Sequence, residues 1–205
     1  MIRRPPRSTL DRSSAASDVY KRQFKNGTIF ALNSLTNRAS LITQIYFPRS
    51  IPAISSAITA SIMLAIEVGL LLIFMVAFQF VPPITMLLLP LVLGLQFMFV
   101  VGVCLPLSVL NVKFKDTEFI WGVVVHAGFF LTPIFYQFDM LPEYVQNILQ
   151  FSPMVQIVTM AHHVVLYGML PTVTSILYAV CSISIITIIG YLIFRKFQAQ
   201  MVEEM

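Results

Sequence analysis

The chain has 205 residues, of which 58% are hydrophobic and only 11% charged. Soluble domains carry about 45–50% apolar and about 25% charged residues, so a water-soluble globule of this length has no way to hide so much apolar surface, and disorder is excluded for the bulk of the chain. The formal net charge of +4 lies wholly within residues 1–23, which hold six basic and two acidic residues; the other seven basic and seven acidic residues balance, so charge gives no ground for nucleic-acid binding by the apolar part.

Residues 1–23, MIRRPPRSTLDRSSAASDVYKRQ, are polar and rich in Ser and Arg, with no apolar period. They lack the apolar core of a secretory signal. A transit peptide and a basic juxtamembrane arm are two readings of such a composition. A third is favoured, because RRPPRSTL…SSAASDVYKRQ resembles translated sequencing-adapter read-through at the end of a truncated reading frame. The expectation is a non-native, disordered leader over 1–23 and one partial membrane domain over 24–205, its true amino terminus missing.

About 20 apolar residues cross the hydrocarbon core as a helix. Four runs qualify: 53–80, 84–110 (with Pro90 and Pro106), 119–138 and 173–194. A short run at 28–35 reads as the tail of a further helix. Backbone groups in lipid must be satisfied within the segment, and none of the runs alternates as a barrel strand does. The fold class is therefore an all-α integral membrane protein with about four transmembrane helices. Lys25, Arg38 and Arg49 precede the first run, Lys113 and Lys115 follow the second, and Arg195 and Lys196 follow the fourth. The connections at 81–83 and 139–172 contain no Lys or Arg. Positive-inside logic places the basic connectors, and with them the carboxyl terminus, in the cytoplasm.

The connection 139–172 is long yet mostly apolar, and Pro142, Pro153 and Pro171 cut it into pieces too short to span. Short re-entrant helices dipping into the outer leaflet fit best, with helices lying flat at the interface as the alternative. Cys104 and Cys181 both lie in apolar runs and read as small buried hydrophobes.

Several segments then resemble one family in order and spacing. NRASLITQIYFPRSIPA, with Asn37, Leu41, Ile42, Phe47, Pro48, Arg49 and Pro52, resembles the cytoplasmic loop of ABC-2 type transporter permeases, most closely the branch exporting O-antigen, capsule and teichoic-acid chains. Asn111, Phe114, Lys115 and Asp116 are similar to that family's Asn-x-x-Tyr-Arg-Asp segment, and Leu131-Thr-Pro133-Ile-Phe-Tyr136 to its Ser-Pro-Ile-x-Tyr. Leu141-Pro142, Phe151-Ser-Pro153 and Tyr167-Gly168-Met-Leu-Pro171 follow in order. The departures are Ser152 for Asn, His162 for Arg and Lys115 for Arg. The resemblance covers about 24–205. It implies six spans in the family, a permease homodimer in a bacterial cytoplasmic membrane, and a lipid-linked polysaccharide or teichoic-acid-like cargo.

No Gly is followed by Lys anywhere, so the chain has no P-loop. ATP and Mg would then sit on a separate ATPase subunit, and no cofactor or metal is expected here. The first cytoplasmic loop, Asn37, Leu41, Tyr46, Phe47, Pro48 and Arg49, offers aromatic anchors and one polar contact for docking such a partner; the rival is a membrane-interface elbow with Tyr46 and Phe47 in the aromatic belt. Asn111, Phe114, Lys115 and Asp116 form the second loop. The candidate substrate path and outer gate are Phe130, Pro133, Tyr136, Tyr144, Pro153 and His162, because aromatic faces give a sliding sugar chain weak, repeated contacts; an interfacial belt is the alternative. Glu67, in mid-span, should face the bundle or a cavity. His126 reads as a hydrogen-bonded packing residue. Adjacent His162 and His163 point about 100° apart on a helix and do not form an i,i+4 ligand pair; they read as polar groups of an outer vestibule. Two rival functions remain: an ABC-2 permease for a drug or lipid, and an intramembrane enzyme, for which no Gly-x-Ser-x-Gly or His-Glu-x-x-His is present.

Overall fold

The computed structural model describes residues 7–38, 48, 50–77, 83–131, 149 and 151–198. All regular structure among them is helical. Among the described residues six α-helices follow in chain order: α1 Arg7–Leu32, α2 Ser50–Ala77, α3 Leu89–Lys113, α4 Thr117–Leu131, α5 Pro153–His162 and α6 Val173–Phe197. A 3-10 turn, Ile84–Leu88, leads into α3, and a π turn, His163–Tyr167, follows α5.

Three stretches are long and apolar enough to cross a membrane: α2, the continuous Ile84–Lys113, and α6. They correspond to the first, second and fourth apolar runs. The third run is represented by α4, whose 15 residues span about 22 Å; residues 132–138 lie outside the described residues. The protein is a multi-pass, all-α membrane protein, with three full spans among the described residues.

Helix α3 is the hub. It packs against each of the other five helices, and twelve of its residues are buried. Its sequence permits this, since it is apolar on every side, a pattern that suits a bundle interior and lipid alike. Helices α2 and α6 bury one stripe each: Ala53, Ala57, Ala60, Leu64 and Val68 on α2, and Ala179, Ile183, Gly190 and Phe194 on α6. Their other faces expose Ile62, Ile66, Ile73, Phe74, Ile185 and Leu192. Water would not tolerate that surface; lipid does.

Side-chain contacts fix the directions. Gln96 meets Gln23, Cys104 meets the Gly27 carbonyl and Asn111 meets the Leu32 carbonyl, so α1 and α3 run parallel. Thr187 lies at Met98 and Gly190 at Gly102, so α6 runs parallel to them. Helix α2 runs the opposite way, with Gly27 against Ala60 and Leu35 clustered with Ala53.

The α3–α6 crossing is close for a covalent reason. Pro106 interrupts α3 and has no N–H to give the Gly102 carbonyl. Gly190 sits directly against that carbonyl and against the Pro106 ring. A Cβ on Gly102 would lie 2.9 Å from Thr187 Cα. Small residues permit such approach between membrane helices.

Three expectations change and one alternative falls away. The leader is helical from Arg7 onward, and α1 runs unbroken across the 23/24 boundary. No Pro or Gly interrupts residues 7–26, and Tyr20, Gln23, Gly27, Thr28 and Ala31 form a buried stripe of mixed polarity that apolar periodicity does not register. Lys25 consequently lies inside α1, exposed, not in a connector. Cys181 is exposed on α6, whereas Cys104 is buried, and both are free thiols. The α5 segment is not a flat interfacial helix. Six of its ten residues are buried and none is exposed; it packs among α1, α3 and α6. At about 15 Å it reaches about half the hydrocarbon depth.

Candidate functional site

The parallel run of α1, α3 and α6 brings three helix carboxyl ends together. Lys113 at the end of α3 has its Nζ 5.1 Å from the Phe197 ring at the end of α6, and Lys196 Nζ is 5.8 Å from the same ring. Leu35, Ala53, Leu105, Val109 and Phe194 close the apolar layer just beneath. The basic connectors at 113–115 and 195–196 therefore share one end of the bundle, as does the connector between α1 and α2.

The terminal carbonyls of α1 have no donors within the helix, and their partners come from the residues just beyond it and from other helices. The Ala31 carbonyl accepts from the Ser34 N–H and hydroxyl at 3.1 and 2.7 Å. The Phe30 carbonyl accepts from the Ser56 hydroxyl of α2 at 3.4 Å. The Leu32 carbonyl accepts from Asn111 Nδ2 of α3 at 2.8 Å. The Asn33 carbonyl accepts from the Asn37 N–H at 3.0 Å and the Thr36 hydroxyl at 3.2 Å. Asn33 Nδ2 in turn donates to Glu118 Oε1 of α4 at 3.3 Å. The α3–α4 turn is pinned by Thr117, whose hydroxyl lies 3.2 Å from the Leu110 carbonyl and 2.6 Å from that of Phe114.

This places the second-loop residues in two groups. Asn111 is buried and spent on α1, whereas Phe114, Lys115 and Asp116 are exposed. Of the first-loop residues, Asn37 is exposed in a 3-10 turn, Thr36–Arg38, and Pro48 is exposed. Leu41, Tyr46, Phe47 and Arg49 lie outside the described residues.

The opposite end is built from short pieces. The Thr85 hydroxyl donates to the Val164 carbonyl at 2.9 Å. Gly168 terminates the π turn with φ of 61°, a left-handed conformation that glycine adopts without strain, and it lies against Pro83. Phe151 and Tyr178 make an edge-on ring contact at 6.3 Å. Pro153 opens α5, where a missing N–H costs nothing, and His162 closes it. His162 and His163 are half-buried. Pro133, Tyr136 and Tyr144 lie outside the described residues; Phe130 lies in α4, and its side chain is likewise outside them. Among the described residues no group of three or more His, Cys, Asp or Glu side chains could hold a metal.

Within the spans, Glu67 is half-buried on α2. His126 is exposed on α4, with Nδ1 2.9 Å from the Gly122 carbonyl one turn back, so it is bonded to its own helix rather than packed inside. Two further polar groups had no signal in the sequence beyond a single amide in an apolar run: Gln96 is wholly buried and donates to Gln23 Oε1 at 2.7 Å, and Gln23 donates to the Ser61 hydroxyl at 3.4 Å. Asn33, Thr117 and Glu118 likewise belong to no recognisable motif. Only their nearness in sequence to the two loops could have drawn attention to them.

No family model matches the chain. It is similar to the O-antigen export system permease protein RfbA of Klebsiella pneumoniae, with 26% identity over 182 residues, covering 88% of this chain and 70% of that protein. It is also similar to the protein of the same name from Myxococcus xanthus, with 25% identity over 129 residues, covering 62% of this chain and 50% of that one. The likeness to polysaccharide-export permeases of the ABC-2 type, first seen in short segments, thus extends over most of the chain.

Proposed function

We propose that this chain is the membrane subunit of an ATP-binding-cassette exporter that moves a lipid-linked polysaccharide or teichoic-acid-like polymer across the bacterial cytoplasmic membrane. The similarity to O-antigen export permeases over 182 residues carries this reading. ATP and Mg belong to a separate subunit. That subunit docks on the basic end, where Phe114, Lys115 and Asp116 are exposed and where the loop carrying Leu41, Tyr46, Phe47 and Arg49 emerges. This end faces the cytoplasm by the positive-inside rule, so the carboxyl terminus is cytoplasmic.

Work enters at that end and is passed up the parallel helices α1, α3 and α6. The opposite end, with α5 and the π turn, forms the outer gate, with Phe130, Pro133, Tyr136, Tyr144, Pro153 and His162 along the path. Two copies enclose the conduit between them, drawing on the apolar faces that α2, α4 and α6 leave exposed. The test is reconstitution of the full-length permease with its cognate ATPase in liposomes. ATP-dependent movement of polymer is the expected result. A permease that binds no ATPase, or a complex that hydrolyses ATP with no polymer moved, overturns the reading.

A further inference from the structure

We propose that Asn111, Asn33 and Glu118 form a latch that joins the two connectors of the basic end into one body, so that a push on either is delivered to α1, α3 and α4 together. The proposal rests on the reading of that end as the coupling end.

Each bond in the latch links different elements. Asn111 belongs to α3, yet its amide donates at 2.8 Å to the last carbonyl of α1. Asn111 is only 7% exposed, so water cannot readily replace it. Removing the amide leaves that carbonyl buried without a donor, which is the costly way to lose a hydrogen bond. Asn33 begins the first connector, and its amide reaches the first turn of α4 at Glu118, 3.3 Å away. The positive end of the α4 dipole favours a carboxylate there, and an ionised acceptor makes the stronger bond. Asn33 Oδ1 also lies 3.5 Å from Asn111 Nδ2, so the two amides meet. Thr117 holds the α3–α4 turn closed behind them. A neutral amide suits both asparagine positions, because it donates and accepts without bringing a charge into the bundle.

The latch predicts constancy: the Asn33–Glu118 spacing should not change during the transport cycle. The experiment uses the full-length permease with its ATPase, carrying Asn33→Cys and Glu118→Cys, and a short bifunctional thiol reagent. Each single-cysteine variant is the control, since Cys104 and Cys181 are already present. The expected result is the same cross-linking yield with ADP and with trapped ATP, and polymer transport within about twofold of the untreated double variant. A link that forms in only one nucleotide state, or that abolishes transport, overturns the latch. The yield is read on a gel and needs no transport, so failure of the transporter reading remains distinguishable from failure of the latch. A second variant, Asn111→Asp, turns the donor into an acceptor facing the Leu32 carbonyl. It is expected to leave ATP hydrolysis in place while transport falls about tenfold, the scale of one buried bond unmade. Transport and hydrolysis unchanged in Asn111→Asp would overturn the proposal.

Discussion

The two ends of the bundle are held by different means. At the basic end, polar side chains of α2, α3 and α4 converge on the terminus of α1, and helix ends are completed by residues distant in sequence. At the other end, among the described residues, a 3-10 turn, a ten-residue helix and a π turn meet through the Thr85–Val164 hydrogen bond, a proline against a glycine, and an edge-on ring contact. Directional bonds hold a geometry, whereas apolar pieces in short segments can be re-packed at lower cost. The difference suits the proposed coupling end and the proposed outer gate.

The sharpest way to break this contrast is sidedness. Cysteines replacing Lys113 and Arg195 should react with an impermeant thiol reagent from one face of the membrane, and a cysteine replacing Met169 from the other. Reactivity of Lys113→Cys and Arg195→Cys from opposite faces would dissolve the distinction between the ends. Next in size is Gly102→Leu. Its side chain has nowhere to go against Thr187, and overpacking of this kind costs about 1–3 kcal/mol or more; loss of the monodisperse peak in detergent chromatography is the readout. Asn111→Ala should cost about 1–3 kcal/mol in thermal unfolding in detergent, because the Leu32 carbonyl stays buried. Thr85→Val at the other end takes the donor from the buried Val164 carbonyl and should cost about 1–3 kcal/mol in the same measurement. A loss below about 0.5 kcal/mol in either variant would show that its bond does not hold that end. The smallest effect belongs to Lys113→Gln, which gives up a cation–ring contact at Phe197 worth about 0.5–1 kcal/mol at an exposed site.

Much of this was legible in advance because lipid imposes simple rules. Length and apolarity picked out α2, α3 and α6 within a few residues, and the distribution of Lys and Arg grouped the connectors that the structure brings together. Faces were harder to read. A helix that is apolar all round shows the same pattern whether it meets lipid or protein, so nothing local marked Cys104 as inward and Cys181 as outward. The stripe of α1 was missed because glycine, threonine and glutamine face its partners. Asn111 was singled out by its resemblance to a family segment. Its partner 79 residues away was not, since a side chain reaching another helix's last carbonyl leaves no trace in local spacing. The candidate gate was legible only as a cluster of aromatics, and of those residues the structure places Pro153 and His162 at the two ends of α5.

The junction of Gly102, Pro106 and Gly190 carries a mechanical consequence. Where main chain rests on main chain, no rotamer can swing aside to let the two helices slip. Helices α3 and α6 must travel as a single strut or come apart entirely. Any wide opening of the bundle therefore has to part along some other line, and the outward faces of α2 and α4, clad in branched aliphatic side chains that grip lipid no more weakly than each other, are where such a parting meets least resistance.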